Sequence, residues 1–233
     1  MIDIKTLASG SKGNAYLIDD GQSQLLLECG INYKEIQRQM NFDTSRIVGC
    51  LLTHEHKDHS KGLKDVVRAG INTYMSKGTA NAEGINHHRI KTVKNKQQFK
   101  VGTWTILPFD IQHDVSEPFG FLVMNKQGEK LLFATDTYYV KYRFKGLNYI
   151  MIECNYSQTI LDDNIANGRV PQFMRKRLMK SHFSLDNVVE FLKVNDLSQV
   201  KEIHLLHLSD TNSNAVEFKS KIQEVTGKRV IIA

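Results

Sequence analysis

The chain has 233 residues, 41% of them hydrophobic, which is enough for a sizeable core, yet no apolar run approaches the roughly 20 residues of a membrane span. A net charge of +6 and a pI of about 9.1 favour a phosphate-bearing partner without specifying one. Three scattered cysteines, Cys29, Cys50 and Cys154, exclude a disulfide framework and a C-x-x-C zinc knuckle, and suit small buried side chains in a reducing compartment.

The opening MIDIKTLASG has neither the basic segment nor the apolar segment of a secretory leader, so a cytoplasmic, non-exported protein is expected. Ile2 and Ile4 alternate with Asp3 and Lys5 as in a first strand, and SGSKGN (9–14) turns the chain into strands over YLIDDG and QLLLECG. NYKEIQRQMN (32–41) places Ile36 and Met40 on one helical face. RIVGCLL (46–52) reads as a buried strand, and SKGLKDVVRAG (60–70) as a helix ended by Gly70. INTYM, HRIKTV, QFKVGTWTILPFDIQH (98–113) and FGFLVMNKQGEKLLFATD are β, the last a hairpin turning at 126–129 on Gly128. LNYIMIEC (147–154) is another buried strand. LDDNIANG, QFMRKRLMK and SLDNVVEFLKVND are helices, the third with Ser184 as its cap. KEIHLLHLS (201–209) is a strand, SNAVEFKSKIQEVTG a helix and RVIIA a final strand. No repeat, linker or low-complexity segment intervenes, so one domain over 1–233 is expected, a layered α/β sandwich.

Residues 51–59, LLTHEHKDH, carry the chemistry. His54, His56, Asp58 and His59 fall within six residues, just after an apolar strand. In an extended segment His54 and His56 point the same way, and a helix start returns Asp58 and His59 to the same volume. Three imidazoles and a carboxylate gathered there call for a cation, and nitrogen and oxygen donors suit a first-row divalent metal. His113, Asp136 and His207 repeat a pattern of apolar strand, then ligand. By position alone His182, in MRKRLMKSHFS, is a capping or surface histidine, and Arg175, Arg177 and Lys180 before it are a solvated face or a phosphate contact. Ser11, Lys12 and Asn14 form a plain turn or reach substrate. Asn155 and Tyr156 follow a strand and are candidates for a pocket wall. His204 should face away from His207, and His87 and His88 lie in an exposed connection.

THEHKDH, His113, FATD ending at Asp136 and LLHLS with His207 together resemble the metallo-β-lactamase-fold hydrolase superfamily over nearly the whole chain. GSKGN, ECNY (153–156), SHFS (181–184) and LLHLS (205–209) resemble its YycJ/WalJ exonuclease-like branch, with ribonuclease Z a more distant relative. The resemblance implies a four-layer αββα sandwich and two divalent ions, Zn²⁺ in the first place and Mn²⁺ or iron as alternatives. His54, His56 and His113 would hold one ion, Asp58, His59 and His207 the other, with Asp136 bridging. A hydroxide shared by ions roughly 3.5–4 Å apart would be the nucleophile. Asp58 and His182 would be catalytic, His182 facing the scissile phosphate to steady charge or protonate the leaving oxygen.

The implied activity is a metal-dependent phosphodiesterase acting on DNA, most simply an exonuclease. The alternatives are a cyclic nucleotide phosphodiesterase of the viral anti-defence type, a carboxyl-ester or thioester hydrolase, or a metal-bound binding module. The expected partner is a phosphodiester substrate, with no membrane; relatives include homodimers, and the sequence leaves the choice of monomer or homodimer open. The spans from His113 to Asp136 and from Asp136 to His207 are too short for the tRNA-gripping arm of ribonuclease Z or the extra domain of β-CASP nucleases. Two departures stand out: Glu28 in LLLECG replaces a common Asp, and ECNY differs from the branch's ESNHD.

Overall fold

A computed structural model describes residues 1–233. Its contacts divide the chain into two compact units, Met1–Asp110 with Val115–Glu129, and Ile111–Asp114 with Lys130–Ala233.

In the first unit β1 (Asp3–Ala8), β2 (Ala15–Asp19) and β3 (Gln24–Leu27) form an antiparallel meander, with Ile4 opposite Ile18 and Leu17 opposite Leu26. β4 (Ile47–Leu51), β5 (Thr73–Met75) and β6 (Ile90–Thr92) extend that sheet in parallel, in chain order. Parallel neighbours need crossovers. They are α1 (Tyr33–Gln39), then α2 (Lys57–Ser60) with α3 (Leu63–Arg68), then α4 (Lys77–Glu83). Ile36 of α1 and Leu63, Val66 and Val67 of α3 close over Leu17, Leu26, Cys50 and Met75, each such buried side chain contributing about 1.5–3 kcal/mol. β7 (Phe99–Val101), β8 (Trp104–Asp110) and β9 (Phe119–Met124) are antiparallel, with Trp104 fully buried.

Three local details differ from the sequence reading. The run 98–113 is broken by a turn on Gly102 at φ 57. The expected helix over 60–70 is two short ones, because the Gly62 N–H leaves the helical ladder and donates to the Cys29 carbonyl at 2.7 Å. The helix α4 was not expected. KGTANAE has almost no apolar period, and its ends are set by Ser76, which accepts the Thr79 N–H at 2.9 Å, and by Gly84 at φ 62.

In the second unit β10 (Lys130–Ala134), β11 (Tyr149–Glu153), β12 (Glu202–Leu206) and β13 (Arg229–Ile232) are parallel, with Ala134 opposite Ile152 and Glu153 opposite Leu206. YIMIE of β11 is buried throughout, as parallel strands usually are. α5 (Gln158–Ala166), α6 (Gln172–Ser181) and α7 (Leu185–Lys193) link β11 to β12, and α8 (Ala215–Thr226) links β12 to β13. α7 buries Leu185, Val188, Val189, Phe191 and Leu192, and Ser184 caps it as expected, accepting from Asn187 N at 3.2 Å. The register brings the carboxyl ends of β10, β11 and β12 to one line, where parallel sheets present ligands. All three cysteines are buried free thiols, and no helix is long and apolar enough to cross a membrane.

Candidate functional site

In the first unit β4 runs into Thr53 and then the histidine loop. His56 is the N-cap of α2, at φ −60 and ψ 144, so extended backbone becomes helix there and returns Asp58 and His59 towards His54. The ring centroids of His54 and His56 lie 4.8 Å apart, those of His54 and His59 4.2 Å, and Asp58 Oδ2 is 3.3 Å from His59 Nε2. Two buried residues hold this loop from behind. Glu28, in the left-handed region at φ 63, accepts the Thr53 N–H at 3.3 Å and sets Oε2 3.6 Å from His59 Nδ1. Burial pushes its carboxyl up, against His59 and Thr53.

Asn14, a candidate for substrate contact, is fully buried. Its Oδ1 accepts from Gly10 N (3.0 Å) and the Tyr16 hydroxyl (3.1 Å), so Nδ2 is the donor end and lies 3.2 Å from His59 Nε2. Gly30 packs directly on the Asp58 carbonyl, where any Cβ would collide. Ser11 is exposed, and with Lys12, Lys57, Lys61 and Lys64 it borders a depression of about 540 Å³ that Asp58 also lines.

In the second unit Asp136, Glu153 and His207 come from the ends of β10, β11 and β12. Asp136 (φ 44) and His207 (φ 51) occupy the left-handed region, uncommon for non-glycine residues and typical of functional sites. Asp136 divides its oxygens: Oδ1 accepts from His207 Nδ1 at 2.6 Å, and Oδ2 lies 3.9 Å from His113 Nε2. His113 Nδ1 is 2.9 Å from the Ser181 carbonyl, which can only accept. The proton is therefore on Nδ1, and Nε2 offers its lone pair. Burial keeps this imidazole below its ordinary pKa, against the pull of Asp136.

Glu153 was absent from the expected set, although it too is a carboxylate closing an apolar strand. That pattern, which singled out Asp136, was the available signal. Its Oε2 accepts the Thr137 and Phe183 N–H groups (3.0 and 3.1 Å), and Oε1 accepts from His182 Nδ1 at 2.6 Å. Burial works to raise its pKa, but His182 above all holds it below the usual carboxylate range. His182, at the end of α6, is raised in turn: burial opposes its charge and Glu153 outweighs burial. His207 follows the same balance, burial against Asp136 and Glu153, and is pushed up to about 10.

Asp136, Glu153, His182 and His207 each bring a ligand atom within 4.8 Å of the others. Two buried carboxylates face two imidazoles whose pKa values they raise, so positive charge is favoured at this point. This all-nitrogen-and-oxygen donor set therefore fits a divalent ion.

Asn155 is buried and donates from Nδ2 to the His207 carbonyl at 2.8 Å, fixing the backbone of that residue. Tyr156 beside it is buried, which pushes its phenol up to about 12. Arg175 is ion-paired with Asp162 at 2.7 Å, while Arg177 and Lys180 are exposed on α6. His204 is buried with Nε2 3.2 Å from Glu202, and His87 stacks on His88 at 4.6 Å.

A sequence family described as a β-lactamase superfamily domain matches residues 23–207. The chain belongs to that superfamily. Exodeoxyribonuclease YycJ of Bacillus anthracis is 29% identical over 230 residues, covering 91% of this chain and 84% of the relative. Exodeoxyribonuclease WalJ of Streptococcus pneumoniae is 28% identical over 222 residues, covering 89% and 81%. The metallo-β-lactamase fold protein YhfI from Bacillus subtilis superposes with a TM-score of 0.75 at 15% identity, over 100% of this chain and 97% of YhfI. That likeness shows the fold, and it is the one the motifs implied. This β-lactamase superfamily member is a metal-dependent hydrolase, with His/Asp clusters able to bind metal ions.

Proposed function

We propose that the chain is a phosphodiesterase that degrades DNA from its ends. The observation that carries this reading is the pair His182–Glu153. Its histidine is surplus to the seven expected ligands, is fixed at 2.6 Å by a buried carboxylate that raises its pKa, and lies 3.9 Å from Asp136. That is the arrangement of a general acid for an alkoxide leaving group. Two divalent ions, Zn²⁺ or Mn²⁺, would be held by His54, His56 and His113 and by Asp58, His59 and His207. Asp136, whose oxygens face different imidazoles, would be shared. When bound, such ions acidify water and draw charge from phosphoryl oxygens.

The residues do the rest. His182 donates a proton from its ring to the departing sugar oxygen, Glu153 orients that ring, and Asn14, Glu28 and Asn155 keep the ligands in place. The lysine-lined depression beside Asp58 suits a phosphate backbone, although Lys57 shares its charge with Glu83 at 3.0 Å. The names of the YycJ and WalJ relatives support DNA as substrate.

The test is hydrolysis by Zn²⁺- or Mn²⁺-loaded protein of linear duplex DNA, single-stranded DNA, and 3′,5′- and 2′,3′-cyclic mononucleotides, with Asp136→Ala as the blank. DNA should shorten from its ends while cyclic nucleotides persist. Turnover of cyclic nucleotides alone would replace this reading with a nucleotide phosphodiesterase.

A further inference from the structure

Two residues beyond Asp136 the chain reads Tyr138-Tyr139-Val140-Lys141-Tyr142-Arg143-Phe144. Four aromatic rings and two cations alternate over seven residues, none of them in a helix or strand. Core packing does not account for this segment. Tyr139 is 55% exposed, Tyr138, Tyr142 and Phe144 are half-buried, and Lys141 and Arg143 are exposed. The segment is anchored at Val140, which is buried, and at its far end, where the Phe144 and Phe183 rings lie 6.4 and 6.3 Å from Phe191 of α7.

Between this segment and α7 is a cavity of about 320 Å³, walled by Tyr139, Lys141, Tyr142, Arg143, Phe183 and Asn187. That is the small end of ligand sites, with room for one ring system and not for a duplex. The lining carries two cations, Lys141 and Arg143, against one carboxylate, Glu190, which Lys193 also engages at 3.0 Å. Lys141 Nζ already sits 5.3 Å from the centre of the Tyr142 ring. The walls belong to the segments that carry the chemistry: Tyr138 follows Asp136 by two residues, and Phe183 is the neighbour of His182.

We propose that this cavity is a subsite for one unstacked nucleobase of the DNA strand, stacked on Tyr139 and Tyr142, with Lys141 and Arg143 meeting the flanking phosphates. It rests on the nuclease reading and adds how a strand end is taken hold of. Every base has a π-face, so such a site accepts all four. A base seated there carries its phosphodiester along the same wall towards Asp136 and His182.

The experiment uses the full chain in chelator, so that no strand is cut, and single-stranded oligonucleotides ending in 2-aminopurine or in an abasic residue, at the 5′ or the 3′ end. Fluorescence of one terminal 2-aminopurine should be quenched. That strand should bind roughly 5- to 150-fold more tightly than its abasic counterpart, the worth of one base–aromatic stack. Tyr139→Ala should erase both the quenching and the preference, and Tyr139→Trp should keep them. Because Tyr139 is more than half exposed, neither change opens the core. Unquenched fluorescence at both ends with equal binding of the abasic strands, or no binding of any strand, overturns the subsite. Cleavage of DNA by the metal-loaded wild-type chain decides the nuclease reading separately: base preference without cleavage would leave the subsite and remove the nuclease.

Discussion

The histidine loop of the first unit and the strand-end ligands of the second gather cation-binding groups by opposite means. Residues 54–59 are neighbours in sequence, and one turn with one N-cap brings them together. Their surroundings are rich in imidazole, and the one carboxyl behind them, Glu28, is pushed up by burial. Asp136, Glu153, His182 and His207 come from four separate segments and meet only because three parallel strands are in register. There the charges are matched, two buried carboxylates against two raised imidazoles. The first set is a local feature with a supporting shell, whereas the second exists only once the sheet has formed. Loss of a supporting residue should therefore loosen the first, while loss of a paired residue should change the chemistry of the second.

The largest expected effect separates ligands from acid within the second unit. His182→Ala should lower kcat on DNA by about 10²- to 10⁴-fold, the usual range for a general acid, with bound metal unchanged by elemental analysis. Glu153→Gln, which alters the orientation and charge of His182 and removes a carboxylate 3.4 Å from His207, should lower kcat by about 10- to 100-fold with little change in KM. Loss of metal from His182→Ala would move His182 into the ligand set.

In the first unit Asn14→Ala should act on stability. It strands the buried Gly10 N–H, takes one partner from the Tyr16 hydroxyl, which also bonds Ser9 at 2.9 Å, and frees the His59 side of the loop. Leaving such buried groups unsatisfied costs about 1–3 kcal/mol. The urea midpoint should fall accordingly, and metal retention on dialysis should weaken. An unchanged midpoint would mean that the glycine turn, not Asn14, holds the histidine loop.

The two regions also differ in how openly the sequence displays them. Three histidines and an aspartate in six residues announce themselves, and strand-end placement singles out His113, Asp136 and His207. Glu153 escaped because the groups it pairs with are not its sequence neighbours in ECNY. Its partners, His182 and the Thr137 and Phe183 N–H groups, are 16 to 30 residues away. Asn14 and Asn155 were legible as polar residues beside strands, but burial against backbone amides and carbonyls is a tertiary fact. The parallel and antiparallel β-segments followed their apolar runs. α4 did not, because caps rather than an apolar stripe define it.

The smallest effect concerns the two buried histidines of one strand segment. His207 is pushed up by its carboxylate neighbours, whereas His204, three residues earlier, is held below its ordinary pKa by burial, with Glu202 at 3.2 Å only partly opposing. Its folded pKa therefore lies below the unfolded value of about 6.5, and between the two the unfolded chain binds more protons. Stability from this residue is present above about pH 6.5 and is lost as pH falls through its folded pKa. His204→Leu removes that titration with little else disturbed, because Glu202 keeps Arg229 at 2.8 Å and the His204 Nδ1 atom makes no hydrogen bond. Urea midpoints of the metal-loaded wild type at pH 7.5 and 5.5 should differ by more than those of the variant, by an amount on the order of 1 kcal/mol, since one pKa unit is worth about 1.4 kcal/mol. Equal pH slopes would show that His204 does not titrate on folding, and that charge is not what divides it from His207.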